Sequence, residues 1–285
     1  IDILDILNWL GTTLSSRRSA EIALLDVDEP EALDFIVAKK DYWSTGNPQR
    51  SQSNNSIMFE RKPSKLELRG LVAMMVDAGG SEPGFINAVE ARRRAPWFMG
   101  CNPCAEILLG DKSFCNLVEV SLPRFNGRWS ELLRAVRLVA RANYRQTCVN
   151  LEDGILQRAW HEQNEQLRLT GVGLTGYVQW EYLGDGAALA VLRKEARLGA
   201  HSMADELGLP RSKAVTTIKP SGTLSKIGDV TEGVHAPLGR YVFNNVRFGR
   251  TDPLLPVLVD AGYRHFDDPL NPDAVLVTLP VEWGD

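Results

Sequence analysis

Hydrophobic periodicity switches repeatedly along this chain, and that switching narrows its fold more than any other feature. Residues 1–10 carry an amphipathic helical pattern that ends near Gly11. Residues 30–40 read as a helix with Pro30 in its first turn, and 54–59 as a strand. Residues 66–76 read as a helix closed by Gly79-Gly80, and 84–87 as a short strand. Beyond these, 114–122 reads as a buried strand. Residues 129–148 read as a helix with Leu132, Val136, Val139 and Ala140 on one face. The stretches 155–169 and 187–207 are helical in pattern, 213–218 is strand-like, 254–261 is helical despite Pro256, and 274–281 is a last strand. Such alternation predicts an α/β fold with substantially parallel pairing. No repeat, low-complexity tract or Pro-rich linker interrupts it, so residues 1–285 are expected to form a single domain.

The net charge of −4 argues against a general nucleic-acid binder, yet leaves room for a local basic pocket that takes phosphates. No apolar run approaches the ~18 residues needed to span a membrane. The first residues, Ile1 to Asp5, have neither a Met nor the basic start of a signal peptide, so the chain is expected to be cut from a longer one at both ends. Three of the four cysteines (Cys101, Cys104 and Cys115) fall within fifteen residues. A secreted disulfide framework would spread them, so the expectation is local chemistry in a reducing cytoplasm. Cys148, near a helix end, is expected to be a packed core thiol.

The densest chemistry is in Cys101-Asn102-Pro103-Cys104-Ala105-Glu106-Ile107, followed by Cys115-Asn116-Leu117. An amide, a thiol and a carboxylate stand at alternate positions. In an extended segment they would face one substrate together, and Pro103 biases Asn102 towards that conformation. Three readings fit these residue types: buried structural cysteines, a thiol–disulfide pair of Cys101 and Cys104, or other catalysis. Zinc is disfavoured. There is no second C-x-x-C, and no His lies in the fifty residues that follow.

Two glycine-rich stretches need separating. Gly171 to Gly176 matches G-x-G-x-x-G, but a dinucleotide turn needs a preceding apolar strand, and 161–168 is polar. Lys219-Pro220-Ser221-Gly222-Thr223-Leu224-Ser225 follows a strand-like run and is rich in hydroxyls. Such a turn can direct backbone N–H groups at an anion, although it lacks the lysine of a P-loop. The paired arginines in Arg17-Arg18-Ser19-Ala20 suit a solvated loop, or a guanidinium that stacks on a base.

The phrases N-P-C-A-E-I and S-F-C-N-L together resemble the active-site finger of ribonucleotide reductases. Asn102, Cys104, Glu106 and Cys115 match in order and spacing. One departure is Ala105, where the family often has glycine. K-P-S-G-T-L-S resembles the family's substrate-phosphate loop, which would place phosphates at Pro220, Ser221, Gly222, Thr223, Leu224 and Ser225. R-R-S-A resembles a segment beside the base-reading loop and makes Arg17 a candidate there. With E-G-V-H-A-P, these phrases look most like the class II enzymes, which use adenosylcobalamin, and especially the monomeric ribonucleoside-triphosphate type.

The resemblance implies part of a ten-stranded α/β barrel with an internal finger loop, and reduction of ribonucleotides to 2′-deoxyribonucleotides by a thiyl radical. It implies Cys104 as the radical residue, Glu106 as base at the 3′ hydroxyl, Asn102 orienting the sugar and Cys115 as a redox cysteine. The implied partners are a ribonucleoside triphosphate or diphosphate, a nucleotide effector, and thioredoxin or a similar dithiol. The partner of Cys115 and a C-terminal cysteine pair are expected outside this sequence. A thiol–disulfide oxidoreductase and a non-catalytic nucleotide-binding module are the rival functions.

Overall fold

A computed structural model of the protein describes residues 1–13, 21–152, 154–269 and 272–282. They form two compact units, Ile1–Arg94 with Leu238–Asp285, and Ala95–Pro237.

The first unit begins with α1 (Asp2–Thr13), β1 (Glu21–Asp26) and α2 (Ala32–Ile36). It continues through β2 (Ser53–Phe59), α3 (Lys65–Asp77), β3 (Gly84–Asn87) and α4 (Ala88–Arg94). The strands lie in the order β1-β2-β3, all parallel, as strands joined through helices require. Phe35, Ile36, Ile57, Phe59 and Leu71 fill the space between this sheet and its helices. Ser64 and Glu67 form a reciprocal capping box at the start of α3, which explains why that helix begins at Lys65. The helix expected over 30–40 is only five residues long. Past Val37 the amides of Ala38 and Lys40 bond three residues back, so the chain tightens into turns. The arginines of α4 form a solvated helix end, paired with Glu60 and Glu90.

The second unit opens with a short antiparallel hairpin, β4 (Gly100–Cys101) and β5 (Leu108–Leu109). Next come β6 (Asn116–Ser121), α5 (Trp129–Gln146), α6 (Arg158–Leu167), β7 (Thr170–Thr175), α7 (Gly186–Leu207) and the short α8 (Thr223–Ile227). β6 and β7 pair in parallel, Asn116 opposite Thr170 and Ser121 opposite Thr175. One face of this pair packs on α5 and α7 through Val118, Val120, Leu132, Val136 and Leu192. The helices approach closely because α7 presents Gly199, where a Cβ would lie 2.4 Å from the Arg137 carbonyl oxygen.

The stretch 213–218 runs along the free edge of β7 but is no regular strand. Consecutive carbonyls of Ala214 and Val215 accept from the alternate amides of Thr170 and Val172, so the register slips by one residue. A bridge at Thr216 is what remains of the ladder. The glycine-rich stretch set aside as a nucleotide turn is β7 itself, whose small side chains hid its strand character.

The first unit closes with β8 (Tyr241–Gly249), α9 (Leu254–Asp260), β9 (His265–Asp267) and β10 (Ala274–Glu282). These strands form an antiparallel sheet in the order β8-β10-β9, against the parallel pairing expected, and neither β8 nor β9 was anticipated. β8 is rich in strand-forming residues (Tyr241, Val242, Phe243, Val246 and Phe248), but Asn244 and Asn245 interrupt its apolar run and its burial alternates only between exposed and half-buried. Among the described residues no helix is long and apolar enough to cross a membrane.

Candidate active site

The finger is a turn and not an extended run. Its loop, 102–107, spans the ends of β4 and β5. The Asn102 side-chain oxygen accepts from the Ile107 amide at 2.9 Å, and its carbonyl accepts from the Ala105 amide at 2.8 Å. The loop therefore closes on Asn102, and the alternate-residue geometry expected of an extended segment is replaced by local hydrogen bonding. Ala105 has φ +59°, in the left-handed region. At this position glycine's advantage is conformational, not a matter of size.

Ile107 anchors the finger. It is buried against Leu167 and Leu169, with Cys115 and Leu117 alongside. Gly171 of β7 makes this seat possible, since a Cβ there would lie 2.4 Å from Leu117 Cδ2 and 3.1 Å from Ile107 Cδ1. Thr217 Oγ1 donates to the Glu106 carbonyl at 2.8 Å, fixing the loop to the segment beside β7.

Side chains two apart on a strand share a face, so Leu117 and Glu119 of β6, with Cys115 just before it, look towards the finger, away from α5. All four cysteines are free thiols. Cys101 is buried, Cys115 half-buried, and Cys104 and Cys148 exposed. Burial, helped by the Glu106 carboxylate, pushes the Cys101 thiol up to about 11 and the Cys115 thiol up to about 12. Burial and Glu106 also raise Cys104, and the Lys219 ammonium offsets part of that rise. One carboxylate thus acts on three thiols that stay protonated at neutral pH. A thioredoxin-like pair works through a thiol whose pKa is lowered, so these environments oppose the Cys101–Cys104 redox reading. Glu106 Oε2 is buried and has no hydrogen-bond partner, a rare condition for a carboxylate oxygen.

Cys148 is not a core thiol. α5 ends at Gln146, the buried side chains there are Tyr144 and Thr147, and Cys148 turns outward.

Sequence reasoning missed Glu119. Its side chain is 4% exposed, pairs with Lys219 and accepts from Ser221 Oγ at 2.7 Å. The available signal was its spacing of four residues from Cys115 on one strand. Around the loop, Pro220 and Ser221 are half-buried, while Gly222 and Leu224 are exposed. A Cβ at Gly222 would meet no atom within 4 Å. Thr223 begins α8. Ser225 is turned inward, its hydroxyl donating to the Gly222 carbonyl at 2.6 Å, so it braces the turn. Arg17 lies outside the described residues.

No family model matches this chain. Over 99% of its length it is 29% identical to the adenosylcobalamin-dependent ribonucleoside-triphosphate reductase of Lacticaseibacillus paracasei and 30% identical to that of Lactobacillus helveticus. It spans 42% of the length of each of these relatives. A crystal structure of a B12-dependent class II ribonucleotide reductase superposes with a TM-score of 0.73 at 25% identity, over 99% of this chain and 43% of that one. The class Id ribonucleotide reductase α subunit of Actinobacillus ureae shares the fold with a TM-score of 0.65 at 15% identity, over 90% of this chain and 55% of that one. The mixed α/β structure is thus a piece of the reductase α/β barrel fold, and the chain is a homologue of part of the catalytic chain of the class II, adenosylcobalamin-dependent ribonucleotide reductases.

Proposed function

We propose that this chain is the site-bearing part of a ribonucleotide reductase that converts ribonucleoside triphosphates to 2′-deoxyribonucleotides through a thiyl radical on Cys104, and that both compact units belong to one catalytic domain. The observation that carries this reading is the seating of the finger on β6 and β7. It brings Cys104, Glu106 and Cys115 into one neighbourhood and leaves a buried carboxylate oxygen of Glu106 without a partner.

Each residue then has a task. Cys104 is exposed at the tip of the finger and protonated, so its S–H hydrogen can be removed to leave a thiyl radical. That radical takes the 3′ hydrogen of the ribose and gives it back to the same carbon once the 2′ position is reduced, which restores the thiyl. The unpartnered Glu106 oxygen accepts the 3′ hydroxyl proton as the 2′ hydroxyl leaves as water. Cys115 and a second thiol supply the leaving group's proton and two electrons, and end as a disulfide. Asn102 holds the loop that aims Cys104 and Glu106, and this supports a positioning role beside its expected contact with the sugar.

Adenosylcobalamin fits the chemistry of this site. Cys104 and Pro103 to Ala105 at the finger tip are the residues positioned to meet a bulky group from outside, whereas Cys101 is buried. When bound, the cofactor supplies the radical equivalent that activates Cys104. The loop of Pro220, Ser221, Gly222, Thr223 and Leu224 holds the substrate phosphates, with Ser225 bracing it and Arg17 near the base. Four free thiols suit a reducing cytoplasm, with thioredoxin or a similar dithiol as reductant and a nucleotide effector as regulator.

The test is Cys104→Ala in the full-length protein. Deoxynucleotide formation should vanish, with nucleotide binding retained. Near-normal turnover in this variant would overturn the assignment.

A further inference from the structure

Glu119 has no task in the chemistry above, yet its charge is almost fully enclosed beside the site. Its carboxylate is 4% exposed and has both oxygens engaged, one by the Lys219 ammonium and one by the Ser221 hydroxyl. These contacts join β6 to a loop a hundred residues away in sequence. Enclosing a charge pair costs solvation that a pair of apolar residues would not lose, so the arrangement is weak evidence for a stabilising role. Its choice of partners is more informative. Lys219 and Ser221 supply the loop's cationic and hydroxyl donors, and both groups commonly bind phosphate. The Lys219 side chain stays 23% exposed, so it can reach outward without unfolding the loop. Its charge also acts on the Cys104 thiol, lowering it against the rise from burial.

We propose that Glu119 is a specificity-determining residue that occupies the loop in place of a phosphate when no substrate is bound. Its carboxylate holds Lys219 and Ser221 until an anion takes both donors over. Every ligand loses apparent affinity by the same factor, so a weakly held nucleoside or monophosphate ester no longer fills the site, while a polyphosphate with more charge and more acceptor oxygens still does. This inference rests on the phosphate-loop reading of 220–225.

The test measures binding of inorganic tripolyphosphate to the full-length protein by calorimetry. An internal competitor lowers apparent affinity by the fraction of molecules whose donors are free. Glu119→Gln should therefore bind tripolyphosphate about tenfold more tightly than the parent protein, and inorganic monophosphate more tightly by a similar factor. Glu119→Asp keeps the charge but shortens its reach. It should tighten binding by a smaller factor, and it covers the case in which the glutamine variant fails to fold. If Glu119 merely staples the loop to β6, both variants bind more weakly or unchanged, and the inference is overturned.

Gly222→Val separates the two ideas. A Cβ there meets no protein atom within 4 Å, so the added group stands on the open side of the loop, where a ligand would come. If this variant weakens tripolyphosphate binding while the Glu119 variants fail to strengthen it, the loop reading stands and the inference alone falls. If Gly222→Val leaves binding unchanged, or the parent protein binds no tripolyphosphate, the loop reading fails and the inference falls with it.

Discussion

Thr217 and Glu106, 111 residues apart in sequence, are joined by one hydrogen bond of 2.8 Å from the threonine hydroxyl to the glutamate's main-chain carbonyl. This bond fixes the backbone of the residue proposed as base, leaving its side chain free to meet substrate. Thr217→Val keeps the shape and removes the donor. The expected loss of stability is ~1 kcal/mol, that of a neutral hydrogen bond. The expected loss in kcat is larger, since misplacing a catalytic group by an ångström can cost ~100-fold. Thr217→Ser should recover most of both. Thermal unfolding and steady-state kinetics check this, and an unchanged kcat in the valine variant would remove Thr217 from the positioning role.

Ala105 adopts φ +59° in the finger loop, a conformation that an L side chain resists by roughly 1–2 kcal/mol. Glycine removes that strain but adds freedom to the unfolded chain, which offsets part of the gain. Ala105→Gly should therefore stabilise the protein by about 0.5–1 kcal/mol. Ala105→Val should destabilise it, since a β-branched residue tolerates positive φ least. Urea denaturation decides the matter, and a glycine variant less stable than its parent would show that the strain is relieved in another way.

The thiols give the protein an alkaline limit. Cys101 and Cys115 titrate from 9.0 when unperturbed to about 11 and about 12 when folded. Between these values the unfolded chain has released protons that the folded chain still holds. Stability must therefore fall as pH rises from about 9 towards 11 and 12, and no such loss from these groups occurs below 9. Unfolding free energies from pH 7 to 10.5 should show the decline, and a Cys101→Ser, Cys115→Ser double variant should flatten it. An equally steep decline in the double variant would place its origin in other groups.

Local sequence determined the residue types and their spacing. The N-x-C-x-E run and the cysteine eleven residues beyond Cys104 were legible because a motif is a property of neighbours in the chain. So were α5, whose apolar periodicity is strong, the long runs of helix formers in α3 and α7, and β2 and β3. Tertiary structure decided what periodicity cannot encode. The finger became a closed turn because Asn102 found a partner in Ile107, not because Pro103 set its direction. β7 formed from glycines, because the finger's Ile107 and β6's Leu117 leave no room for a Cβ at Gly171. β8 joined an antiparallel sheet through a ladder to β10 that runs straight across Asn244 and Asn245, where its apolar pattern breaks. Glu119, Lys219 and Ser221 became one cluster only when β6 met a distant loop. A buried charge chooses its partners by distance in space, and the spacing of residues along a chain carries no record of that distance.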